Sequence, residues 1–273
     1  QHVQSNAEVT VACVPVPAAD AGNFGVLTLS AGARIASFVE KPSPGQFEPA
    51  GDTVLASMGV YVFNADYLYE RLEHDMRSES SAHDFGRDLI PAAVAASEAA
   101  AFVFEDPHTA RPCYWRDVGT LDSYWKAHME LLDRNVDFNV FDPAWPILTH
   151  ARQLPPAHVC SGSRPGAAAS SLVDSLISEG CVIDGASVTR SVLGPGVRIG
   201  PGAALDRTVV LPDVQIGADC RLSRAIIESG CTVPAGTVAG EDRRLDAERF
   251  AVSAEGIVLI TAESLSRAVR QVA

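Results

Sequence analysis

The chain has 273 residues, a formal net charge of -13, and 47% hydrophobic against 20% charged residues. This composition is typical of a folded globular protein that is long enough for two domains. An acidic surface disfavours nucleic acid and anionic membranes as partners, because like charges repel. We therefore expect no nucleic-acid partner. Every apolar run is also shorter than a membrane span, so we expect no membrane segment.

The cysteine pattern indicates a reducing compartment. The sequence has six cysteines, with no Cys-x-x-Cys pair and no histidine at metal-ligand spacing. We therefore expect free thiols and a cytoplasmic protein. The six are Cys13, Cys113, Cys160, Cys181, Cys220 and Cys231.

Strands and helices alternate over residues 1–134. Apolar, β-branched runs predict strands at 9–14, 24–29, 34–39, 57–63 and 101–105, and helical spacing predicts helices at 65–77, 88–100 and 121–133. This alternation indicates an α/β domain with a Rossmann-like mixed sheet. Because a buried strand begins so near residue 1, we expect further sheet partners upstream, and we expect 9–14 and 60–63 to form exposed apolar edges.

A Pro-rich connector at 135–171 separates this region from a repeat. The segments 187–203, 204–220 and 221–237 align at a period of 17 residues, close to three hexapeptides. A fixed short period with β-branched residues and Gly or Pro turns predicts a solenoid, here a left-handed parallel β-helix. We assign it to 172–273, together with a charged excursion near 241–250 and a C-terminal strand and helix.

Three short motifs carry polar groups suited to phosphate chemistry. Lys41, in Glu40-Lys41-Pro42, follows a strand end, where a point charge suits a phosphate. Asp117 precedes Gly119-Thr120 at a helix start, where it caps the turn or binds Mg²⁺ beside a phosphate. The segment 83–88 is either a plain helix entry or a sugar-hydroxyl site.

Taken together and in order, the motifs resemble the glucose-1-phosphate adenylyltransferase (ADP-glucose pyrophosphorylase) family. The motifs are Phe38-Val39-Glu40-Lys41-Pro42, Ser57-Met58-Gly59-Val60-Tyr61-Val62-Phe63, Ser81-Ala82-His83-Asp84-Phe85-Gly86-Arg87-Asp88 and Tyr114-Trp115-Arg116-Asp117-Val118-Gly119-Thr120. The resemblance runs from residue 9 to about residue 265 and includes the family's β-helix.

The resemblance implies Mg²⁺-dependent transfer of AMP from ATP to glucose 1-phosphate, giving ADP-glucose and pyrophosphate for glycogen or starch synthesis. It implies that Lys41 pairs with the sugar phosphate and that Glu40 accepts from glucose hydroxyls. It places Ser57, the Gly25 backbone, Asp84 and Trp115 around the sugar, and makes Asp117 a metal-binding, catalytic carboxylate. It also implies a homotetramer with contacts through the β-helix.

The departures from the family pattern concern the nucleotide and the effectors. The family's Gly-rich nucleotide loop and first metal-binding aspartate belong upstream of Gln1, so we expect no catalysis from this polypeptide alone. The family is allosteric, with sugar-phosphate or other metabolite effectors. Ser229, Ala262 and Ser266 stand where basic effector ligands are expected, which leaves Arg267 and Arg270 as candidates.

Three alternatives remain from the sequence. A hexapeptide acyltransferase would need a histidine base near the coils, and no histidine follows His158. A sugar-phosphate nucleotidyltransferase for another base or sugar is a second alternative. The third is a non-catalytic regulatory or assembly subunit, against which the combination of Lys41 and Asp117 argues.

Overall fold

The computed structural model describes residues 1–49, 51–106, 108–109, 111–133, 138–162 and 169–272, and the side chains only as far as residue 267. The chain forms two compact units, Gln1–Trp115 and Arg116–Ala273. The domain limits expected from the sequence, 1–134, 135–171 and 172–273, stay a prediction.

The first unit is built on one five-stranded mixed sheet. Its strands are β1 (Val9–Pro17), β2 (Gly25–Leu29), β3 (Ile35–Glu40), β4 (Thr53–Phe63) and β5 (Ala99–Val103), in the spatial order β3-β2-β4-β1-β5. Only the β1–β5 pair is parallel among these strands. The helices are α1 (His2–Ser5), α2 (Ala65–Met76) and α3 (Ile90–Ala95), and a π-helical turn at Phe85–Leu89 precedes α3. The predicted α/β region is confirmed.

The expected apolar edge at 9–14 is wrong, because β1 is paired on both sides, with β4 and β5. Its residues Val9, Val11 and Cys13 are fully buried in the core that the sheet shares with Tyr67 and Ile90. On β4, by contrast, the side chains of Val60 and Val62 are about half exposed, at 52% and 49%.

The helix expected at 88–100 is shorter than its pattern suggested. Pro91 lies in the first turn of α3, as predicted, but the helix ends at Ala95. Ser97 then takes a positive φ of 59°, which turns the chain into β5 two residues earlier than expected. Alanine favours a helix by its intrinsic propensity, and the parallel pairing with β1 overrides that preference and selects the strand.

The second unit begins with α4 (Leu121–Glu130) and continues as a series of short strands. These are β6 (His158–Cys160), β7 (Ser171–Val173), β8 (Leu176–Ile177), β9 (Val182–Asp184), β10 (Ser187–Thr189), β11 (Val192–Leu193), β12 (Arg198–Ile199), β13 (Ala204–Asp206), β14 (Val209–Val210), β15 (Gln215–Ile216), β16 (Arg221–Ser223), β17 (Ala225–Ile227), β18 (Thr232–Val233), β19 (Val238–Ala239), β20 (Ala251–Val252) and β21 (Val258–Ile260). The helices α5 (Arg243–Arg249) and α6 (Ala262–Val272) complete the unit.

Successive strands fall on three faces in turn, in the sheets β18-β15-β12-β9-β6, β19-β16-β13-β10-β7 and β20-β21-β17-β14-β11-β8. Parallel partners in the central coils are 17 positions apart, as in the stack Ser187, Ala204, Arg221 and Val238. Each coil buries apolar side chains against the next, among them Val188, Leu205 and Leu222. The predicted repeat and its register are confirmed.

Helix α4 packs on the outer face of the third sheet. Trp125 and Met129 form a buried cluster with Val209, Ile226 and Ile257. The Trp125 indole Nε1 donates to the Arg207 carbonyl at 2.8 Å, and the guanidinium of Arg224 lies 5.1 Å from the indole centroid. The sequence pattern assigned this helix to the α/β region, but in the structure it packs on the β-helix coils.

The last coil carries the predicted excursion. Ile226 of β17 pairs with Leu259 of β21, 33 positions later, because α5 and β20 are inserted before the third face. Asp246 of α5 is 2% exposed, accepts from the Gly240 N–H at 2.8 Å and pairs with Arg249 at 3.2 Å. Within the described part of the chain, no helix has the length and hydropathy of a membrane span.

Candidate functional site

The polar residues of the first unit converge on the carboxylate of Glu40. Gly25 of β2 is the register partner of Glu40 at the end of β3. A Cβ on Gly25 would lie 2.6 Å from Glu40 Oε2 and 2.5 Å from Phe38 Cζ. A Cβ on Gly86 would also collide with the Glu40 side chain. The carboxylate therefore fits only because two neighbouring backbones carry no side chain.

Lys41 follows at the point where β3 ends. Its backbone is left-handed, with φ of 45°, and its N–H donates to the Phe24 carbonyl at 3.0 Å. The residue is exposed. A positive φ turns the chain away from the strand direction. The end of β3 therefore carries an acidic residue, Glu40, followed directly by a basic one, Lys41.

The charges around Glu40 partly compensate its burial. Burial raises the pKa of Glu40 above its usual value of 4.5; Lys41 opposes the rise, Asp84 adds to it and Arg87 opposes it. These effects show that Asp84 and Arg87 lie within electrostatic range of the carboxylate. The site thus combines two acids with two bases, which suits a ligand that has both hydroxyl donors and a negative charge.

Ser57 and Tyr61 of β4 form the next part of the site. Ser57 is 8% exposed, and its hydroxyl accepts from the Gly59 N–H at 3.2 Å. Burial raises the pKa of Tyr61, a hydrogen bond with Ser57 lowers it, and the Glu40 and Asp84 charges raise it further. The Tyr61 ring stacks on Phe85 at 5.9 Å between centroids. Tyr61 is therefore hydrogen-bonded to Ser57 and is also affected by the charges of Glu40 and Asp84.

Asp84 lies at the start of the π-helical turn. Its Oδ1 accepts from the Arg87 N–H at 2.9 Å, and its own N–H donates to Asp88 Oδ2 at 3.1 Å. Asp84 therefore caps a helical turn, and its charge also raises the pKa of Glu40. A role of this segment as a sugar-hydroxyl site stays a prediction.

Trp115 is half-buried and packs edge-on against Phe24, with 5.8 Å between ring centroids. Phe24 is the residue before Gly25 and the acceptor for the Lys41 N–H. The structure therefore brings Trp115 to the same corner of the first unit as Gly25, Glu40, Lys41, Ser57 and Asp84.

Asp117 belongs to the second unit and is exposed. The helix that follows is capped by Thr120, not by Asp117: Thr120 Oγ1 accepts from the Ser123 N–H and Ser123 Oγ accepts from the Thr120 N–H, both at 3.1 Å. The Asp117 carboxylate instead lies beside Gly119, 3.3 Å from where a Cβ would stand. In the described residues, no group of three His, Cys, Asp or Glu side chains forms a metal cage.

The two arginines expected at an effector site lie on α6. Arg267 is exposed, at 67% for its side chain, and its Nε is 3.9 Å from Glu263 Oε1. Arg270 lies on the same helix, and its side chain is outside the described residues.

Several residues at the site were not singled out from the sequence. Tyr61, Gly86 and Arg87 all lie inside the sequence motifs. Only the fold shows that Gly86 packs against Glu40 and that Tyr61 and Arg87 are near enough for charge effects with it. A glycine within a helix-entry motif is the one signal that would have drawn attention, since glycine is unfavourable in a helical turn unless a neighbour needs its space.

The chain matches two protein families, one in each region. Residues 1–134 match the family described as Nucleotidyl transferase, and residues 155–260 match the GlmU-like, C-terminal hexapeptide family. Fold and matches together define a nucleotidyl transferase domain followed by a left-handed parallel β-helix, which confirms the predicted fold class.

The chain is similar over nearly its whole length to glucose-1-phosphate adenylyltransferases. It is 47% identical to the enzyme of Enterobacter sp. (strain 638) and 44% identical to that of Methylococcus capsulatus, each over 97% of this chain and 62% of the relative. It is 42% identical to glucose-1-phosphate adenylyltransferase 2 of Alkalilimnicola ehrlichii, over 100% of this chain and 64% of the relative. The chain thus spans less than two thirds of the length of these relatives.

Proposed function

We propose that the protein acts in the transfer of AMP from ATP to glucose 1-phosphate, which gives ADP-glucose and pyrophosphate. In this proposal the first unit binds the sugar phosphate. The relatives carry the name of this activity. The motifs that resemble the family contain Glu40, Lys41, Ser57, Asp84 and Gly86, whereas Gly25 lies outside them.

The observation that carries the proposal is the fit of Glu40 between the Gly25 and Gly86 backbones, with Lys41 beside it. A carboxylate packed between two backbones in this way can accept hydrogen bonds from sugar hydroxyls. The adjacent ammonium attracts a phosphate, and Asp84 and Ser57 add further polar groups. Glucose 1-phosphate combines these two chemistries in one small molecule.

Asp117 is the residue that would hold Mg²⁺. Mg²⁺ usually takes one or two carboxylates and completes its shell with water and substrate phosphates, so one exposed carboxylate suits the ion better than a closed cage does. The ion would supply charge neutralisation at the phosphates. The chain's own residues would orient the sugar phosphate for in-line attack.

A binding experiment tests the proposal directly. Glucose 1-phosphate should bind by titration calorimetry, and Lys41→Ala should weaken the binding about 10-fold or more, because a charge-assisted contact to phosphate is lost. The sequence contains only two lysines, so Lys126→Ala is the matched control; Lys126 pairs with Glu255 at 2.5 Å. Equal affinity in the two variants, or no binding by the parent chain, would contradict the proposal.

Turnover is a separate measurement. The 273-residue polypeptide alone should bind the sugar phosphate but make no ADP-glucose from ATP, Mg²⁺ and glucose 1-phosphate. An active full-length counterpart carrying the same residues should lose activity with Asp117→Asn. Mg²⁺-independent activity would argue against the assigned role of Asp117.

The wider biological setting belongs to the same proposal. We place the activity in cytoplasmic glycogen or starch synthesis, with metabolite effectors at Arg267 and Arg270 and a homotetramer formed through the β-helix. In the active full-length counterpart, Arg267→Ala should then reduce activation by a sugar phosphate without changing unstimulated activity. Sedimentation equilibrium should give four times the chain mass.

A further inference from the structure

A carboxylate outside the proposed site anchors the loop that leads into it. Asp75, near the end of α2, accepts from Ser81 Oγ at 2.5 Å and is hydrogen-bonded to His83 Nδ1 at 2.8 Å. Its side chain is 14% exposed. The Ser81 hydroxyl in turn accepts from the His83 N–H at 3.0 Å. Both oxygens of Asp75 are therefore committed to the two loop residues.

The anchored loop holds an unfavourable backbone conformation. His83 has a φ of 55°, in the left-handed region that residues with a Cβ seldom adopt. Such a conformation persists only when its surroundings hold it in place, and the contacts with Asp75 and Ser81 do so.

The direction of the chain at His83 determines where the next residues point. Asp84 follows immediately and caps the turn that contains Gly86, whose backbone lies against the Glu40 side chain. Asp84 is also close enough to influence the charge of Glu40, whereas Asp75 is not among the groups that do so. The hydrogen bonds of Asp75 to Ser81 and His83 therefore connect it with the segment that approaches Glu40.

We propose that Asp75 is a positioning residue for the sugar-phosphate site, and that its contacts with Ser81 and His83 hold Asp84 and Gly86 in the geometry that Glu40 requires. This inference rests on the proposed function of Glu40 and Lys41. In the proposed function, Glu40 and Asp84 bind the sugar hydroxyls and Lys41 binds the phosphate, so Asp75 would affect sugar specificity without contacting the substrate.

The test compares Asp75→Ala with Glu73→Ala, a neighbouring carboxylate on α2 that is 68% exposed. Asp75→Ala should bind glucose 1-phosphate at least 10-fold more weakly, and its discrimination against galactose 1-phosphate should fall toward one. General destabilisation would lower the affinity for both sugars and leave their ratio unchanged. Glu73→Ala should match the parent chain in affinity and ratio.

Two milder variants keep the test valid if Asp75→Ala does not fold. Ser81→Ala removes one loop contact and should lower affinity and discrimination by roughly threefold. Asp75→Asn keeps an acceptor for Ser81 and a group that can bond to His83, and should recover most of both. Unchanged affinity and ratio in a folded Asp75→Ala, or in Ser81→Ala when Asp75→Ala is unfolded, would overturn the inference.

A separate measurement distinguishes this failure from a failure of the proposed function. If the parent chain binds no sugar phosphate, the proposed function fails, whatever the variants do. If it binds and Asp75→Ala binds equally well, only the positioning role fails. Amide hydrogen exchange tests the anchoring role without a ligand. Residues 81–88 should exchange faster in Asp75→Ala than in the parent chain, and an unchanged rate would also overturn the anchoring role.

Discussion

Glu40 lies directly against the backbone of Gly86, and no side chain fits at residue 86 without displacing the carboxylate. The two residues come from different parts of the first unit, the end of β3 and the turn before α3. Their contact brings the segments 38–42 and 81–88 into one site.

Gly86→Ala should therefore damage binding more than folding. The new methyl group would push the Glu40 carboxylate, and overpacking of this kind costs about 1–3 kcal/mol. We expect at least a 10-fold loss of glucose 1-phosphate affinity by calorimetry, with the unit still folded by circular dichroism. Gly51→Ala is the matched control, because a Cβ there meets open space. Similar affinities for the two variants would contradict the geometry.

The raised pKa of Glu40 predicts how the free energy of unfolding changes with pH. The folded protein holds a proton on Glu40 more tightly than the unfolded chain does, since burial disfavours the carboxylate. The free energy of unfolding contributed by this group therefore falls as pH rises from below 4.5 through the raised pKa, and is constant above it. Glu40→Gln removes the fall.

Urea unfolding of the parent chain and Glu40→Gln between about pH 4 and 8 measures this difference. The variant should gain stability relative to the parent as pH rises through the window just above 4.5. A relative gain that shrinks with rising pH would show that Glu40 is stabilised as the anion.

The two lysines give a chemical test of where the phosphate binds. Both are exposed, and Lys41 lies beside Glu40 while Lys126 lies on α4. Glucose 1-phosphate should slow acetylation of Lys41 several-fold, measured by peptide mass spectrometry, because the bound phosphate occupies the ammonium. The Lys126 rate should not change. Equal protection of both would indicate a general effect of the anion.

Core packing in the β-helix predicts a large cost for one truncation. Leu205 is 2% exposed and packs inside the coils, so Leu205→Ala should lower the free energy of unfolding by about 2–5 kcal/mol. Gln215 is exposed on β15, and Gln215→Ala should stay within about 0.5 kcal/mol of the parent chain. Urea denaturation followed by circular dichroism compares the two.

The cysteines report on each unit separately. Cys13 is fully buried in the first unit, where burial and then Glu105 raise the pKa of its thiol to about 11. Cys181, Cys220 and Cys231 are buried in the β-helix, while Cys113 and Cys160 are partly exposed. A thiol reagent at neutral pH should modify the two exposed thiols first and the four buried ones only on unfolding. Early labelling of Cys13 would contradict its burial.

The repeat was predictable because its signal is local. Seventeen-residue spacing brings Val188, Leu205 and Leu222 into one column, and the parallel register follows from the period alone. The motif around Lys41 was predictable for the same reason, since a short strand followed by a charged turn is encoded in a few adjacent residues.

The remaining features depend on contacts between distant residues. No periodicity reports that Trp125 binds the Arg207 carbonyl, 82 positions away, or that α4 packs on the coils. The link from Asp75 to His83 crosses a loop, and the fit of Glu40 between Gly25 and Gly86 requires three separate segments to be in place. Such contacts are properties of the folded chain and leave no pattern in any one window.

The insertion that carries α5 lies at one end of the solenoid and makes that end different from the other. A parallel stack offers its last strands as a template to which another chain can add, as in fibre growth. Here Asp246 ties α5 to Gly240 just after β19, and Phe250 and Leu265 bury their side chains against the final coil. At that end of the column, the segments around α5 and α6 therefore bury side chains against the final coil, where a further coil would otherwise pack.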